Sequence, residues 1–314
     1  MTSTDPFRPY GIDAGAHRGP ALVTGATGFT GGHLARALRA RGHPVRALVR
    51  PGTAAGSLAD AGIEVVRGDI TDARAVDAAV AGMTTVYHVA AVYRTAGHPD
   101  DHYRAVHVGG TRNILDAAAR HRVDRVVHCS TVGVHGAIRD VPSDEDSPFN
   151  PGDIYQQTKL EGELVAQEAF RQGLPGVVVR PAAIYGPGDL RFLKLFRAVR
   201  SGRFRMFGSG EVTYHLVYID DLVAGFILCG EKPEALGRTY ILGGSGYITL
   251  NAFVRMVAEA LDVEAPRGRL PIRPLIAAAV ACEALCRPFG IEPPLHRRRV
   301  DFFVKPRAFS IERA

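Results

Sequence analysis

The stretch that decides the fold is TGATGFTGG, residues 24–32. It follows the apolar run PALV and opens the segment FTGGHLARALRARG, in which Phe29, Leu34 and Leu38 recur at helical spacing. This order predicts a buried strand, a tight glycine-rich turn and a helix.

Three glycines of this stretch stand where a dinucleotide site needs them. Gly25 would allow the tight turn, Gly28 would let the backbone approach a pyrophosphate, and Gly31 would let the helix pack closely on the sheet. The N-terminus of the helix would then face the anion. Because the turn follows the first strand of a βαβ series, we predict dinucleotide binding rather than a merely structural turn.

Apolar strand-like runs alternate with helical patterns over the first part of the chain. PVRALV, IEVVRGD, TTVYHVAA, DRVVHCST and GVVVRP are predicted strands with helices between them. Since these runs are apolar on both faces, they predict an α/β fold built on a doubly wound parallel sheet. After Pro181 the pattern is less regular. We assign residues 20–185 to this sheet, with 215–245 returning to it, and residues 186–214 and 246–314 to a smaller C-terminal substrate-binding part.

The composition is that of an ordinary globular protein. The 314 residues are 46% hydrophobic and 22% charged, which excludes a disordered or membrane-embedded chain. The net charge is +6, but arginines are scattered along the whole length, so we expect no nucleic-acid partner. The four cysteines lack CxxC spacing, which favours reduced thiols in a cytoplasmic protein, and we expect no metal site.

Two segments bear on membrane contact and order. Residues 1–19 have no apolar core and no periodicity, so we expect a disordered leader. The longest apolar run, PLIAAAVACEALC at residues 274–286, is shorter than the roughly 20 residues that a membrane span needs. We expect a buried or lid-forming helix here and no integral membrane association, with peripheral membrane contact as the alternative.

The residue after the second strand indicates which dinucleotide binds. An NAD site usually has a carboxylate there to hold the ribose 2′-hydroxyl, whereas this chain has Arg50. An arginine suits a 2′-phosphate, so we favour NADP(H), with NAD(H) as the alternative. Asp69, after the third strand, could accept a hydrogen bond from the adenine amino group or cap the next segment.

The segment DIYQQTK, residues 153–159, predicts acid-base chemistry. Tyr155 and Lys159 would lie one turn apart on one helix face, where the ammonium would lower the phenol pKa from its usual ~10. A phenolate of this kind is a general base for an alcohol and, protonated, an acid for a ketone. Ser130 and Thr131 follow a parallel strand, so their hydroxyls would face the same crevice.

These motifs resemble those of the extended short-chain dehydrogenase/reductase superfamily. The resemblance rests on TGxxGxxG, Asp69, HVAA at residues 88–91, Ser130 with Thr131, and YxxxK, and it continues in RPAAIYGPGD and VYIDDLVAG. It implies a Rossmann domain, a smaller substrate domain, and a nicotinamide cofactor.

The same resemblance implies the roles of individual residues. Thr131, supported by Ser130, would bind the reacting oxygen, Tyr155 would exchange its proton, and Lys159 would hold the nicotinamide ribose. The cofactor-binding set would be Gly25, Thr27, Gly28, Phe29, Gly31, Arg50, Asp69, Ile70, Ala90, Ala91, Lys159 and Pro181. The substrate contacts would be Tyr93, Ala183, Arg205 and Tyr214.

The chain departs from the family pattern at several positions. His107 replaces an asparagine that often precedes the GT step, which argues against an asparagine-held water relay. Val132 and Gly133 replace the Asp-Glu pair of dehydratases, which disfavours sugar-nucleotide dehydration. Tyr214 and Ala183 stand where sugar-nucleotide enzymes usually have an arginine and an asparagine.

We therefore expect an NADP(H)-dependent oxidoreductase that interconverts a secondary alcohol and a ketone, similar to the 3β-hydroxysteroid dehydrogenase and dihydroflavonol reductase branch. The alternatives are a nucleotide-sugar epimerase that retains its cofactor and a catalytically silent NADP(H)-sensing protein. The resemblance also suggests a homodimer that pairs through helices near residues 101–121 and 155–172.

Overall fold

The structure is a computed structural model that describes residues 19–93, 99–286, 288, 293–295 and 297–314. The predicted leader, except for Gly19, lies outside the described residues. The chain forms a large parallel sheet with helices on both faces, followed by a smaller and less regular part.

Twelve β-strands are present in the described part of the chain. They are β1 (Ala21–Thr24), β2 (Val45–Val49), β3 (Glu64–Arg67), β4 (Thr85–His88), β5 (Arg125–Cys129), β6 (Gly176–Pro181), β7 (Ala183–Tyr185), β8 (Met206–Phe207), β9 (Thr213–Tyr218), β10 (Thr239–Leu242), β11 (Tyr247–Thr249) and β12 (Arg269–Leu270).

Seven of these strands form the main sheet in the order β10-β6-β5-β4-β1-β2-β3, and every neighbouring pair is parallel. The order reverses between β1 and β4, which is the switch point where ligands bind in open sheets of this kind. The predicted α/β fold with a doubly wound parallel sheet is confirmed. Outside the main sheet, β7, β9 and β11 form a three-stranded sheet, and β8 pairs with β12.

The α-helices cover the sheet and build the smaller part. They are α1 (Phe29–Ala40), α2 (Gly56–Ala59), α3 (Ala73–Val80), α4 (Asp100–Arg104), α5 (Gly110–Arg120), α6 (Ile154–Arg171), α7 (Leu193–Arg200), α8 (Ile219–Glu231), α9 (Leu250–Ala260), α10 (Ile272–Cys286) and α11 (Arg297–Val304). A π-helical turn, Ala105–Gly109, joins α4 to α5.

Two hydrophobic clusters enclose the main sheet because successive side chains of each strand point to opposite faces. In β1, Ala21 and Val23 belong to the cluster on one face and Leu22 to the cluster on the other. A third cluster holds the smaller part together through residues of α7, β9 and α9, among them Val199, Tyr214 and Leu250. None of the described helices combines the length and the hydropathy of a membrane span.

Candidate active site

A cleft of about 1920 Å³ runs along the carboxyl ends of the parallel strands and continues between the sheet and the smaller part. It is lined by residues that follow β1, β2, β4, β5 and β6, such as Gly25, Arg50, Ala90, Ser130 and Ala182. All of the predicted catalytic and cofactor-binding residues line this single cleft. The fold therefore brings together side chains that are up to 156 positions apart in the sequence, from Gly25 to Pro181.

The glycine-rich turn has the geometry that a diphosphate cradle needs. Gly25 has φ +73°, and a Cβ atom there would lie 2.8 Å from the Cα atom of Ala90. At Gly31 a Cβ atom would lie 2.4 Å from the carbonyl oxygen of Gly25, so a side chain would separate helix from turn. Gly28 caps α1 without any side-chain hydrogen bond. The first N–H groups of α1 are thus left for an anion in the cleft.

A buried chain of hydrogen bonds holds the turn after β4 against β1. The backbone N–H groups of Val89 and Ala90 donate to the hydroxyl oxygen of Thr24, each at 3.1 Å. That hydroxyl lies 2.9 Å from Nδ1 of His88, whose Nε2 lies 3.1 Å from the hydroxyl of Thr111. Burial lowers the pKa of His88 to about 3, so the ring is neutral at physiological pH. The sequence prediction included none of these links.

Two arginines stand at the β2 end of the cleft. Arg50 is exposed, and no described residue accepts a hydrogen bond from its guanidinium. Arg36, on the exposed face of α1, donates to the carbonyl of Gly32 at 3.1 Å and to the hydroxyl of Ser57 at 3.2 Å. Both line the cleft. The sequence analysis did not identify Arg36, because its position on the helix is also typical of an arginine that contacts only solvent.

Asp69 closes a local turn at the same end of the cleft. Its Oδ1 accepts hydrogen bonds from the backbone N–H and the hydroxyl of Thr71, at 2.9 and 2.8 Å. The carboxylate that caps α3 is instead Asp72, which accepts from the N–H groups of Arg74 and Ala75. Asp69 is half-buried and lines the cleft, so its second oxygen, Oδ2, remains for a ligand.

Helix α6 carries Tyr155 and Lys159, and Asp153 caps its N-terminus by accepting from the N–H of Gln156. Lys159 is only 4% exposed, and its Nζ donates to the carbonyl of Cys129 at the end of β5, at 2.5 Å. Burial lowers the pKa of this ammonium, an effect that the nearby Cys129 and Glu163 partly oppose. The lysine is thus fixed at the end of the strand, one helical turn from the tyrosine ring.

Ser130 and Thr131 use their hydroxyls differently. The Ser130 hydroxyl is buried and donates to Oε2 of Glu163 at 2.5 Å. Glu163 is in turn paired with the buried guanidinium of Arg180 at 2.5 Å. The Thr131 hydroxyl oxygen accepts from the N–H of Gly133 at 3.0 Å, which leaves its proton free to be donated into the cleft. Ser130 therefore ties β5 to α6, whereas Thr131 is the better donor to a substrate oxygen.

His107 lies in the π-helical turn and is 2% exposed. Its Nε2 accepts from the N–H of Val92 at 3.0 Å, so Nδ1 carries the proton and donates to the Thr158 hydroxyl at 2.8 Å. Burial lowers the pKa of His107 to about 3, and the charge of Lys159 adds to the effect. The neutral ring meets the Tyr155 ring edge-on, with centroids 5.6 Å apart. The ring of Tyr93 also meets the Tyr155 ring edge-on, with centroids 5.6 Å apart.

Of the four predicted substrate contacts, Tyr93 and Ala183 line the cleft, and the other two lie elsewhere. Tyr214 is 3% exposed because it packs in the core of the smaller part, and its hydroxyl donates to the carbonyl of Phe302 at 2.5 Å. Burial raises its pKa to about 12. Arg205 points to solvent and donates to two carbonyls of its own loop. The sequence could not give the direction of either side chain.

The far wall of the cleft combines apolar and basic side chains. Arg307 donates to the Tyr214 hydroxyl at 2.7 Å, and Arg191 is paired with Asp189 at 2.7 Å. Lys194 also lines this wall. Sequence reasoning missed most of this wall because it comes from separate, irregular segments. Its apolar residues are Phe192, Leu195, Ala198, Phe204, Phe302 and Phe309.

The sequence model of the NAD dependent epimerase/dehydratase family matches residues 21–243, which is more than half of the chain. The chain belongs to this family. The predicted resemblance is confirmed, and the protein is an enzyme of the extended short-chain dehydrogenase type.

Two of the proteins similar to this chain are a dehydrogenase and a ketoreductase. The chain is 35% identical over 296 residues to a 3 beta-hydroxysteroid dehydrogenase/Delta 5→4-isomerase of Mycobacterium tuberculosis, covering 88% of this chain and 79% of the relative. It is 32% identical to a farnesyl-dihydroquinoline-oxide ketoreductase of Stigmatella aurantiaca, covering 85% and 80%. A short-chain dehydrogenase/reductase from Agrobacterium tumefaciens with bound NAD matches with a TM-score of 0.70 at 27% identity, covering 80% and 86%. A nicotinamide cofactor is therefore supported for this family member.

Proposed function

We propose that this protein is an NADP(H)-dependent oxidoreductase that interconverts a secondary alcohol and a ketone. The observation that carries the proposal is the convergence of Thr131, Tyr155 and Lys159 on the cleft that also holds the glycine-rich turn. Neither a structural turn nor a chance YxxxK match would place these groups together. A bound nicotinamide would supply hydride exchange with the substrate carbon.

The side chains of the cleft have separate roles in proton transfer and in orienting the substrate. Tyr155 gives its phenolic proton to the ketone oxygen during reduction and takes it back during oxidation. Lys159, fixed at the Cys129 carbonyl, places a positive charge near Tyr155 that favours the phenolate. Thr131 donates a hydrogen bond that orients the same oxygen. The edge contacts of Tyr93 and His107 restrict the Tyr155 ring to one orientation.

The preference for NADP(H) rests on charge. Arg50 and Arg36 put two guanidinium groups at the β2 end of the cleft, where no carboxylate side chain lines the wall except Asp69. A 2′-phosphate would pair with one or both, whereas a bare 2′-hydroxyl gains little from them. The Gly28 cradle fits the diphosphate that both dinucleotides share.

An apolar ketone is the substrate class that the far wall suits best. Its aromatic and aliphatic side chains offer buried apolar contact, and the steroid and farnesyl-quinoline substrates in the names of the two relatives have the same chemistry. The positions usually occupied by sugar-nucleotide anchors hold Ala183 and the inward-facing Tyr214.

A specific observation also favours a second candidate, the nucleotide-sugar epimerase. Arg307 and Lys194 line the cleft, and Arg307 reaches it beside Tyr214, where the usual arginine is missing. These two cations could bind a diphosphate. A tightly bound cofactor that does not exchange with solution would favour the epimerase. A catalytically silent sensor, in contrast, would show no turnover with any carbonyl compound.

The test is turnover of NADPH with a panel of apolar ketones, followed spectrophotometrically, beside calorimetric titration of cofactor-loaded protein with UDP-, GDP- and dTDP-sugars. We expect ketone-dependent oxidation of NADPH and no sugar binding. Micromolar binding of a sugar nucleotide that is lost in Arg307→Ala and Lys194→Ala, but kept in Arg203→Ala outside the cleft, would promote the epimerase.

We further propose a homodimer that pairs through α5 and α6. Leu164, a large apolar residue on α6, is 47% exposed, which supports an interface on that helix. Sedimentation of wild type and Leu164→Glu would test it, and a monomeric wild type would refute it.

A further inference from the structure

Helix α10 has an apolar surface that the described part of the protein does not cover. Within this fully described helix, nine residues are exposed, and all of them except Arg273 are apolar. The largest are Ile276, Val280 and Leu285, which are 39%, 46% and 70% exposed. A helix on an ordinary protein surface has polar residues on its outer side. The outer side of α10 therefore has the character of an interface.

One narrow face of α10 does pack on the protein. Its less exposed residues recur at Leu275, Ala279, Cys282 and Cys286, which is the spacing of a single helical face. The helix packs against α11, and Glu283 binds Arg297 at 2.8 Å. This ion pair neutralises the one carboxylate of α10. The exposed apolar face thus carries no negative charge of its own.

The positive charge of the chain is concentrated in the segment that contains α10. Residues 267–307 include nine arginines and lysines and three carboxylates, a formal surplus of six. The whole chain has a net charge of +6, so the remaining residues are neutral in sum. Arg267, Arg269 and Arg273 stand at the N-terminal side of α10, and all three are exposed.

We propose that α10 docks this protein on the surface of an anionic lipid bilayer. An exposed apolar helix flanked by arginines is the pattern of interfacial helices, whose apolar side enters the headgroup boundary while the cations meet anionic lipids. With 15 residues, α10 is about 22 Å long. The hydrocarbon core is about 30 Å thick, so α10 lies along the surface.

Charge argues against a second copy of the chain as the occupant. A twofold dimer buries the same patch of both subunits against itself. Each subunit would bring the exposed Arg269 and Arg273 beside its α10 to the contact, and like charges at an interface are unfavourable. An anionic bilayer offers the opposite charge together with an apolar interior.

Docking through α10 would also place the cleft beside the lipid. Glu283 of α10 and Arg297 and Arg299 of α11 line the cleft, so these two helices form part of its wall. An apolar ligand could then pass from the bilayer to the cleft without crossing bulk water. This consequence does not depend on which reaction the cleft performs.

The experiment is co-sedimentation of the full chain with vesicles of phosphatidylcholine alone or with one quarter phosphatidylglycerol. We expect binding to the anionic vesicles that is at least tenfold stronger than to the neutral ones and that weakens as salt rises from 50 to 500 mM, values chosen to span a Debye length of roughly 14 to 4 Å. Equal binding to both vesicle types, or none to the anionic ones, would overturn the proposal.

Two variants localise the contact. Val280→Glu with Leu285→Glu should reduce anionic vesicle binding at least tenfold, while the matched control Met256→Glu, at a 56% exposed apolar residue of α9, should bind like wild type. Neither set lines the cleft, so cofactor binding should be unchanged. If the double variant instead converts a dimer into a monomer without affecting vesicle binding, a second copy covers α10 and the proposal fails.

A measurement on wild type removes the dependence on variant folding. Anionic vesicles should slow amide hydrogen exchange in α10 and leave α9 unchanged. Protection that appears elsewhere but not in α10 would place the membrane contact on another surface and refute the assignment. Ketone turnover should be the same in the double variant and in wild type. The loss of vesicle binding can then be judged separately from the proposed reaction.

Discussion

Replacing Arg50 by alanine should weaken NADPH binding about tenfold and leave NADH binding within about twofold of wild type. The structure places the Arg50 guanidinium in the cleft, exposed and without a hydrogen-bond acceptor among the described residues. Its removal therefore breaks no described interaction of the protein. Only a ligand with a 2′-phosphate loses a partner.

The size of the effect follows from the exposure of the site. A hydrogen bond to a charged group is worth about 1.5 to 3 kcal/mol, and an exposed, screened pair belongs at the lower end. About 1.4 kcal/mol corresponds to tenfold in the dissociation constant. Arg36 lines the same end of the cleft and is partly held by Ser57. The double variant Arg50→Ala with Arg36→Ala should thus weaken NADPH binding about a hundredfold if the two guanidinium groups act independently.

Dissociation constants for NADPH and NADH, measured calorimetrically on wild type and each variant, provide the assay. Arg74→Ala is the matched control, because Arg74 is an exposed arginine that does not line the cleft. The loss for NADPH should also shrink at high salt, since the pair is exposed. Equal losses for the two cofactors would refute the assignment of Arg50 to a 2′-phosphate.

Further predictions concern the catalytic and buried residues. Tyr155→Phe should lower kcat by about 10² to 10⁴ with little change in cofactor Kd, and a smaller loss would count against acid-base catalysis. Lys159→Arg should also be inactive, because a planar guanidinium cannot replace a buried ammonium at the Cys129 carbonyl, and a wild-type rate would contradict this. His128→Leu should raise the free energy of unfolding in urea by about 1 to 3 kcal/mol at pH 7, because neither ring nitrogen has a described partner.

The pH dependence of the His128 variant has a definite sign. Burial lowers the pKa of His128 well below its ordinary value of 6.5, so the unfolded chain binds one more proton than the folded chain as pH falls below 6.5. Wild-type stability therefore decreases on acidification through this window. His128→Leu should lose less stability between pH 7 and pH 5, and identical losses in the two proteins would show that the ring is not buried in its neutral form.

The parts of the fold that the sequence predicts are those governed by local pattern. The side chains of β1 alternate between the two faces of the sheet, and a glycine turn follows the strand. Both features depend on neighbouring residues, so they can be predicted directly from the sequence. The orientation of Tyr214 depends instead on Phe302 and Arg307, which are 88 and 93 positions away. No local signal separates a tyrosine that faces a cleft from one that faces a core. The predicted substrate contact at Tyr214 and the predicted acid-base role of Tyr155 both stay predictions, but of the two residues only Tyr155 lines the cleft.

His107 shows how one substitution changes the surroundings of the tyrosine without changing the fold. The family often has an amide side chain here, and an amide can bridge a water molecule and a backbone group. In this protein both imidazole nitrogens are already occupied, Nε2 by the N–H of Val92 and Nδ1 by the hydroxyl of Thr158. Its pKa of about 3 also prevents the ring from carrying a second proton near neutral pH. If Tyr155 acts as the proposed acid-base residue, its proton must therefore be exchanged through the cleft, on the side of Lys159 and Thr131, because both nitrogens of the His107 ring are occupied.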